Sequence, residues 1–203
     1  CEISVDVTST YQGTIINTIP VGGLTAVIDT GIDTVTVSNV EEANASIRMR
    51  TMSAPTVTKK FAKNTIYVGE VTTLTIDIKN IDGAIALTEV SLTDTLPGAV
   101  VLAEPVSPIM TGCDASSLPT LTAVSGTNIV TISNASIAPS GTCQIVVNVS
   151  SPSQGIETNT IDIGAVQSRQ GVTNTSPASD PINIQAIRIN KAFSPATIQA
   201  GEI

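Results

Sequence analysis

The chain has 203 residues, a formal net charge of −8 and only nine Lys and Arg against seventeen Asp and Glu. That balance disfavours nucleic acid and anionic membrane as partners, because both need a concentrated cationic patch. Apolar residues make up 41% of the sequence but aromatics only 2%, with no Trp and no His, so any core must be built from Val, Ile, Leu and Ala.

The 29 threonines, together with abundant Val and Ile, favour pleated, half-buried strands over helices. The sequence contains no run of 18 or more apolar residues, no basic-then-apolar leader and no cationic amphipathic helix, so this segment does not insert into a membrane by itself.

Taken in chain order, the first segment, CEISVDVTSTYQGTIINTI, reappears from Cys143 as CQIVVNVSSPSQGIETNTI. Cys1, Ile3, Val5, Val7, Ser9, Gln12, Gly13, Asn17, Thr18 and Ile19 match without a gap. A second match lays KKFAKNTIYVGEV, from Lys59, on KAFSPATIQAGEI, from Lys191, and shares Lys59, Phe61, Thr65, Ile66, Gly69 and Glu70. The first copy is the longer of the two between its matched ends, which predicts a loop extension around 24–42. The repeat is too long for a solenoid, so each copy is expected to be a separate domain on a string. The expected division is 1–54 as the end of one truncated repeat, 55–186 as a complete repeat, and 187–203 as the first strand of a following one.

Within the complete repeat, VTTLTIDIKN puts Leu74, Ile76 and Ile78 on one face and Thr73, Thr75, Asp77 and Lys79 on the other. This is the period of a half-buried antiparallel strand. TEVSLTD repeats it with Val90 and Leu92, and CQIVVNVS with Ile145, Val147 and Val149 in phase with Cys143. Further strands are expected at 100–103, 128–133, 158–163 and 182–189, for about eight or nine in all. Turn signals such as IDGA, LPGA, SGTN and APSGT separate them. Many short alternating strands without a helical window predict an all-β fold: immunoglobulin-like Greek-key β-sandwich modules in tandem.

The string TKKFAKNTIYVGEVTTLTIDIKN, followed by LTEVSLTDTLP and closed by NTSPASDPINI, resembles the conserved-repeat modules of large bacterial and archaeal surface proteins. The shared pattern is a Lys-containing first strand, a Val-Gly-Glu turn, a Thr-rich second strand and an Asp-Thr-Leu-Pro end to the third. The resemblance implies an immunoglobulin-like fold, occurrence in tandem, and surface, adhesion or filament roles without an active site.

Three cysteines are an odd number for an extracellular chain. The spacing suggests an intradomain disulfide between Cys113 and Cys143, worth roughly 3–4 kcal/mol by the loop-entropy model. Cys1, the repeat counterpart of Cys143, is then an orphaned repeat cysteine whose partner lies upstream; a lipid-modified N-terminal cysteine is the competing reading. Three Cys without His or a CxxC pair do not make a usual zinc cage, and no cofactor is expected.

Without His the common general base is missing, so no catalytic residues are expected. Asp77, Asp94, Glu41 and Glu42 read as solvated carboxylates. Asp29, Asp33, Asp82, Glu41 and Glu42 are the nearest approach to a calcium site, yet they lack regular ligand spacing. Some surface modules are locked by a Lys to Asn isopeptide bond; the conceivable trio here is Lys59 or Lys60, Asp77 or Asp94, and Asn183. The outward phase of Asp77 and the presence of a disulfide weigh against it. Sequons at Asn44, Asn134, Asn148 and Asn174 permit glycosylation if the source has the machinery.

Three functions follow as expectations. The first is a structural or spacer repeat of a large extracellular surface or fibre-forming protein, its partners being neighbouring repeats. The second is an adhesin module that binds a surface protein or glycan through loops such as 24–42. The third is a filament subunit assembled by strand addition.

Overall fold

The computed structural model describes all residues except 1, 3, 8–11, 188, 193, 195, 196, 198, 202 and 203. The chain divides into two compact units, Cys1–Thr51 and Met52–Ile203. The first contains β1 (Gly13–Ile19), β2 (Thr25–Asp29), β3 (Thr34–Ser38) and β4 (Ala43–Met49). Strands β1 and β4 pair antiparallel, and so do β2 and β3. The expected loop extension at 24–42 is therefore a β-hairpin. Alternating TAVID and TVTVS segments can satisfy each other's backbone groups across a short turn, in which the Thr30 hydroxyl donates to the Asp33 carbonyl at 2.7 Å and Gly31 takes φ +80°.

The second unit holds β5 (Thr56–Phe61), β6 (Thr65–Tyr67), β7 (Thr72–Lys79), β8 (Leu87–Thr95), β9 (Val101–Leu102), β10 (Ile109–Thr111), β11 (Thr120–Ala123), β12 (Ile129–Ile137), β13 (Thr142–Ser150), β14 (Gly155–Ile161) and β15 (Ala178–Gln185), with one 3₁₀ turn at Ala115–Ser117. One sheet has the order β10-β13-β7-β5, with β9 paired to the far end of β13. The other face is made of β11-β12-β8 and β14-β15-β6. These two groups adjoin, since β8 contacts β14 and Ser91 and Gln167 exchange backbone hydrogen bonds at 3.0 Å. The result is an immunoglobulin-like β-sandwich.

Period-two patterning places the core. Leu74, Ile76 and Ile78 of β7 and Cys143, Ile145, Val147 and Val149 of β13 all point inward, in a single cluster with Val90 and Leu92 of β8, Val130 and Ile132 of β12, and Ile182 and Ile184 of β15. Phe61 is the aromatic side chain in that cluster, so shape complementarity rests on branched aliphatics. The strand count exceeds the expected eight or nine because β6, β10 and β11 are only three or four residues long, too short to show a period.

The Val-Gly-Glu turn has a local cause. Gly69 adopts φ +79°, which turns Glu70 back so that its carboxylate accepts the Tyr67 N–H at 2.9 Å and the Lys63 ammonium at 2.7 Å. These two bonds hold the Glu70 carboxyl below the usual carboxylate range. The buried Asn80 amide donates to the carbonyls of Ile85, Ile137 and Ala138 and so ties the β7–β8 turn to the end of β12.

Replacing Ile76, at 1% exposure, with Ala is expected to lower unfolding stability by about 2–5 kcal/mol through cavity formation. Thr75→Ala on the opposite face should change it by less than about 0.5 kcal/mol. Urea denaturation of both variants checks the assignment of faces.

Candidate functional site

Two places in the second unit concentrate chemistry. The first is the cysteine pair. β10 runs antiparallel to β13 with Thr111 opposite Gln144, and the chain then turns at Gly112 with φ +72°. A Cβ at that glycine would lie 2.1 Å from the Thr142 carbonyl oxygen, an approach only glycine tolerates. The turn delivers Cys113 to Cys143, and the two are disulfide-bonded with Cα atoms 4.6 Å apart. Beyond it, Asp114 caps the 3₁₀ turn, its carboxylate accepting the Ser116 N–H at 2.9 Å, while its own N–H bonds Ser136 O at 2.7 Å. Cys1 lies outside the described residues.

Gly112→Ala should impair closure of the disulfide and lower the melting temperature, whereas Gly126→Ala, at another positive-φ glycine with nothing near its Cβ position, should pay only for backbone strain. Comparison of the two in thermal denaturation separates close approach from φ alone. Replacing Cys113 and Cys143 together with Ala is expected to cost about 3 kcal/mol.

The second place is a polar cluster inside the sandwich. Lys59 lies between Val57 and Phe61 on the inward face of β5, Asp94 follows Val90 and Leu92 on that of β8, and Asn159 precedes Ile161 on that of β14. Lys59 Nζ donates to Asp94 Oδ1 at 2.5 Å, and Asn159 Nδ2 donates to Asp94 Oδ2 at 3.0 Å. One carboxylate thus bridges an amine and an amide from two other strands. The Lys59 and Asp94 side chains are 0% and 1% exposed, and Asn159 is fully buried.

Burial pushes the Lys59 ammonium down from its ordinary value, and the charge and hydrogen bond of Asp94 push it back up by less. Asn159 Oδ1 has no hydrogen-bond partner. An orphaned buried acceptor costs about 1–3 kcal/mol, and a buried ion pair is often no more stable than the aliphatic side chains that could replace it. Stability alone therefore does not account for this cluster.

The reading of Asp94 as a solvated carboxylate is corrected: it shares the inward phase of Val90 and Leu92, a signal present in the sequence. Of the conceivable trio, Lys59 and Asp94 come together, but the asparagine beside them is Asn159. Asn183 lies on the other phase of β15 from the buried Ile182 and Ile184. Lys60 is exposed, and half-buried Asp77 accepts a hydrogen bond from the Gln144 amide at 2.9 Å.

The remaining acidic candidates are engaged in turns. Asp82 accepts the Ala84 and Ile85 N–H groups at 3.0 Å, Asp29 that of Gly31 at 2.8 Å, and Glu42 the Asn44 amide at 2.8 Å. Among the described residues no group of three or more His, Cys, Asp or Glu is placed to hold a metal ion. Of the sequons, Asn174 is fully buried, with its amide given to the carbonyls of Asp162 and Ser176, so a glycan there is incompatible with the folded module.

The second unit is thus an immunoglobulin-like β-sandwich that carries a disulfide and holds a charged cluster between its sheets. The chain belongs to the family described as Domain of unknown function (DUF7933), whose model matches residues 55–184. No curated protein matches it. Among solved structures it is similar to a cohesin module from a family 33 glycoside hydrolase of Clostridium perfringens, at 12% identity and TM-score 0.49, covering 68% of this chain and 100% of that one. It is also similar to BcpA, the major pilin subunit of Bacillus cereus, at 17% identity and TM-score 0.44, covering 79% and 46%. A third is the collagen-binding domain of a Staphylococcus aureus adhesin, at 10% identity and TM-score 0.40, covering 63% and 96%.

Asp94→Ala should strand the Lys59 charge in the core and destabilise the module by about 3–5 kcal/mol. Asp77→Ala on the outer face should cost less than about 1 kcal/mol. Guanidinium denaturation of both variants measures the difference.

Proposed function

We propose that the chain is part of a tandem array of structural modules in a large extracellular surface or fibre-forming protein, each module acting as a stiff, non-catalytic spacer. The observation that carries this reading is a repeated strand pair. Strand β1 spans Gly13–Ile19, the residues that the internal alignment lays on Gly155 and Ile161, the ends of β14. β1 pairs with β4 from Gly13–Met49 to Ile19–Ala43, and β14 pairs with β15 from Gly155–Ile184 to Ile161–Ala178. The same seven-pair ladder thus occurs at the end of residues 1–54 and at the end of residues 55–186. This supports reading those segments as successive copies, with 187–203 opening the next.

The Cys113–Cys143 pair supports an oxidising, extracytoplasmic location. The cluster chemistry supports a non-enzymatic role, because side chains at 0–1% exposure cannot meet a diffusing substrate. Among the described residues no helix is long and apolar enough to cross a membrane.

Protease shaving and antibody labelling of intact source cells should release and detect the module from outside. A protein found only in the cytoplasm, with Cys113 and Cys143 alkylated without reductant, would overturn the assignment.

A second reading, adhesion through the 24–42 segment, is favoured by one feature. The β2–β3 hairpin exposes Val27, Ile28, Val35 and Val37, with Ile32 in its turn. Deleting residues 24–42 should abolish attachment to a protein partner if the hairpin is the contact, and leave it intact if the modules only space a distal region.

A further inference from the structure

We propose that the module closes an intramolecular amide bond between Lys59 Nζ and Asn159 Cγ, with Asp94 carrying the protons and ammonia leaving. The cluster geometry alone carries this step, wherever the parent protein resides.

Asp94 holds the nucleophile and the leaving group at once: its Oδ1 takes the Lys59 amine at 2.5 Å and its Oδ2 takes the Asn159 amide nitrogen at 3.0 Å. Such fixed placement turns a reaction that is very slow between free amines and amides into one between neighbours. Burial disfavours the charged form of the Lys59 side chain and so favours its free amine. A proton passing from the Lys59 ammonium to the Asp94 carboxylate leaves a free amine lone pair beside a neutral carboxylic acid.

The lone pair attacks Asn159 Cγ. Asp94 then removes a proton from the attacking nitrogen and gives one to Nδ2, the Cγ–Nδ2 bond breaks, and ammonia departs. The reactants are one ammonium, one carboxylate and one primary amide; the products are one secondary amide, one carboxylic acid and ammonia. Hydrogen and charge balance with no oxidant and no external reactant.

The product also removes both oddities of the cluster. The lysine charge disappears, so the core no longer holds an ion pair. The carboxyl group of Asp94 becomes a donor, and the carbonyl oxygen of Asn159, which has no partner in the structure, becomes an acceptor beside it.

The internal repeat points the same way. Lys59 aligns with Lys191 while its neighbour Lys60 aligns with Ala192, and Asn159 aligns with Asn17. Both bond-forming residues therefore recur at their positions in the adjoining copies. The bond would join β5, at the start of the module, to β14, near its end, and tension applied to the two ends of the module would load it directly.

The test is the intact mass of the purified chain after denaturation and disulfide reduction. The expected value is one ammonia, about 17 Da, below that of the sequence, and proteolysis should yield a branched peptide joining Lys59 to Asn159. Lys59→Arg and Asn159→Ala should each restore the full mass while keeping a dispersed amide spectrum, and Asp94→Asn should abolish or greatly slow the loss. A folded wild-type chain at full mass would overturn the proposal, and so would an ammonia loss that persists in Lys59→Arg or maps to other residues. If the variants fail to fold, the branched peptide in the wild-type chain still decides.

Discussion

A lysine ammonium placed between two β-sheets must meet an opposite charge there, and the arrangement of this module follows from meeting that demand. Lys59 belongs to the sheet of β5, β7 and β13, whereas Asp94 and Asn159 come from the opposite face. Their contact fixes the two layers against each other at one register. In a core of Val, Ile and Leu, with Phe61 as its one aromatic member among the described residues, aliphatic packing is adaptable; a charge pair at 2.5 Å is not. Slipping β8 by one residue would turn Asp94 outward and leave the ammonium unpaired, a loss no local repacking could offset.

The cysteine pair acts elsewhere and differently. It ties the segment after β10 to β13, its own neighbour in the same sheet, and so restrains a stretch of chain that has few buried side chains of its own. The polar cluster spans the two faces of the sandwich. A staple along one face and a clasp between faces constrain separate motions. The exposed apolar residues of the β2–β3 hairpin belong to the other unit and have no part in either.

The alternating runs VTTLTIDIK and TCQIVVNVS were legible because period-two burial is a local property: once one face is apolar, the strand's orientation is fixed. The same rule applied to TEVSLTDT puts Asp94 inward, yet a carboxylate in a Thr-rich strand looks solvated unless its partner is known. Lys59 between Val57 and Phe61 poses the same difficulty. Neither residue explains its own burial when taken alone, and only together do they explain each other. The choice of Asn159 over Asn183 was only partly local, since both lie in strands near the module's end. Asn159 shares the phase of Ile161 and Asn183 opposes that of Ile182 and Ile184, but which strand runs beside β8 is set by the crossing of the chain between sheets.

By itself the sequence determined the all-β architecture, the inward faces of the principal strands, the internal repeat and the candidate cysteine pair, because these follow from short-range alternation, turn chemistry and self-similarity. Tertiary structure decided that residues 25–38 form a hairpin, that Gly112 lets two strands approach closely enough for Cys113 to reach Cys143, and that Lys59, Asp94 and Asn159 meet. The reason is physical: strand phase tells which way a side chain points, but which side chains it then faces depends on how separate strands are stacked, and no neighbour in sequence carries that information.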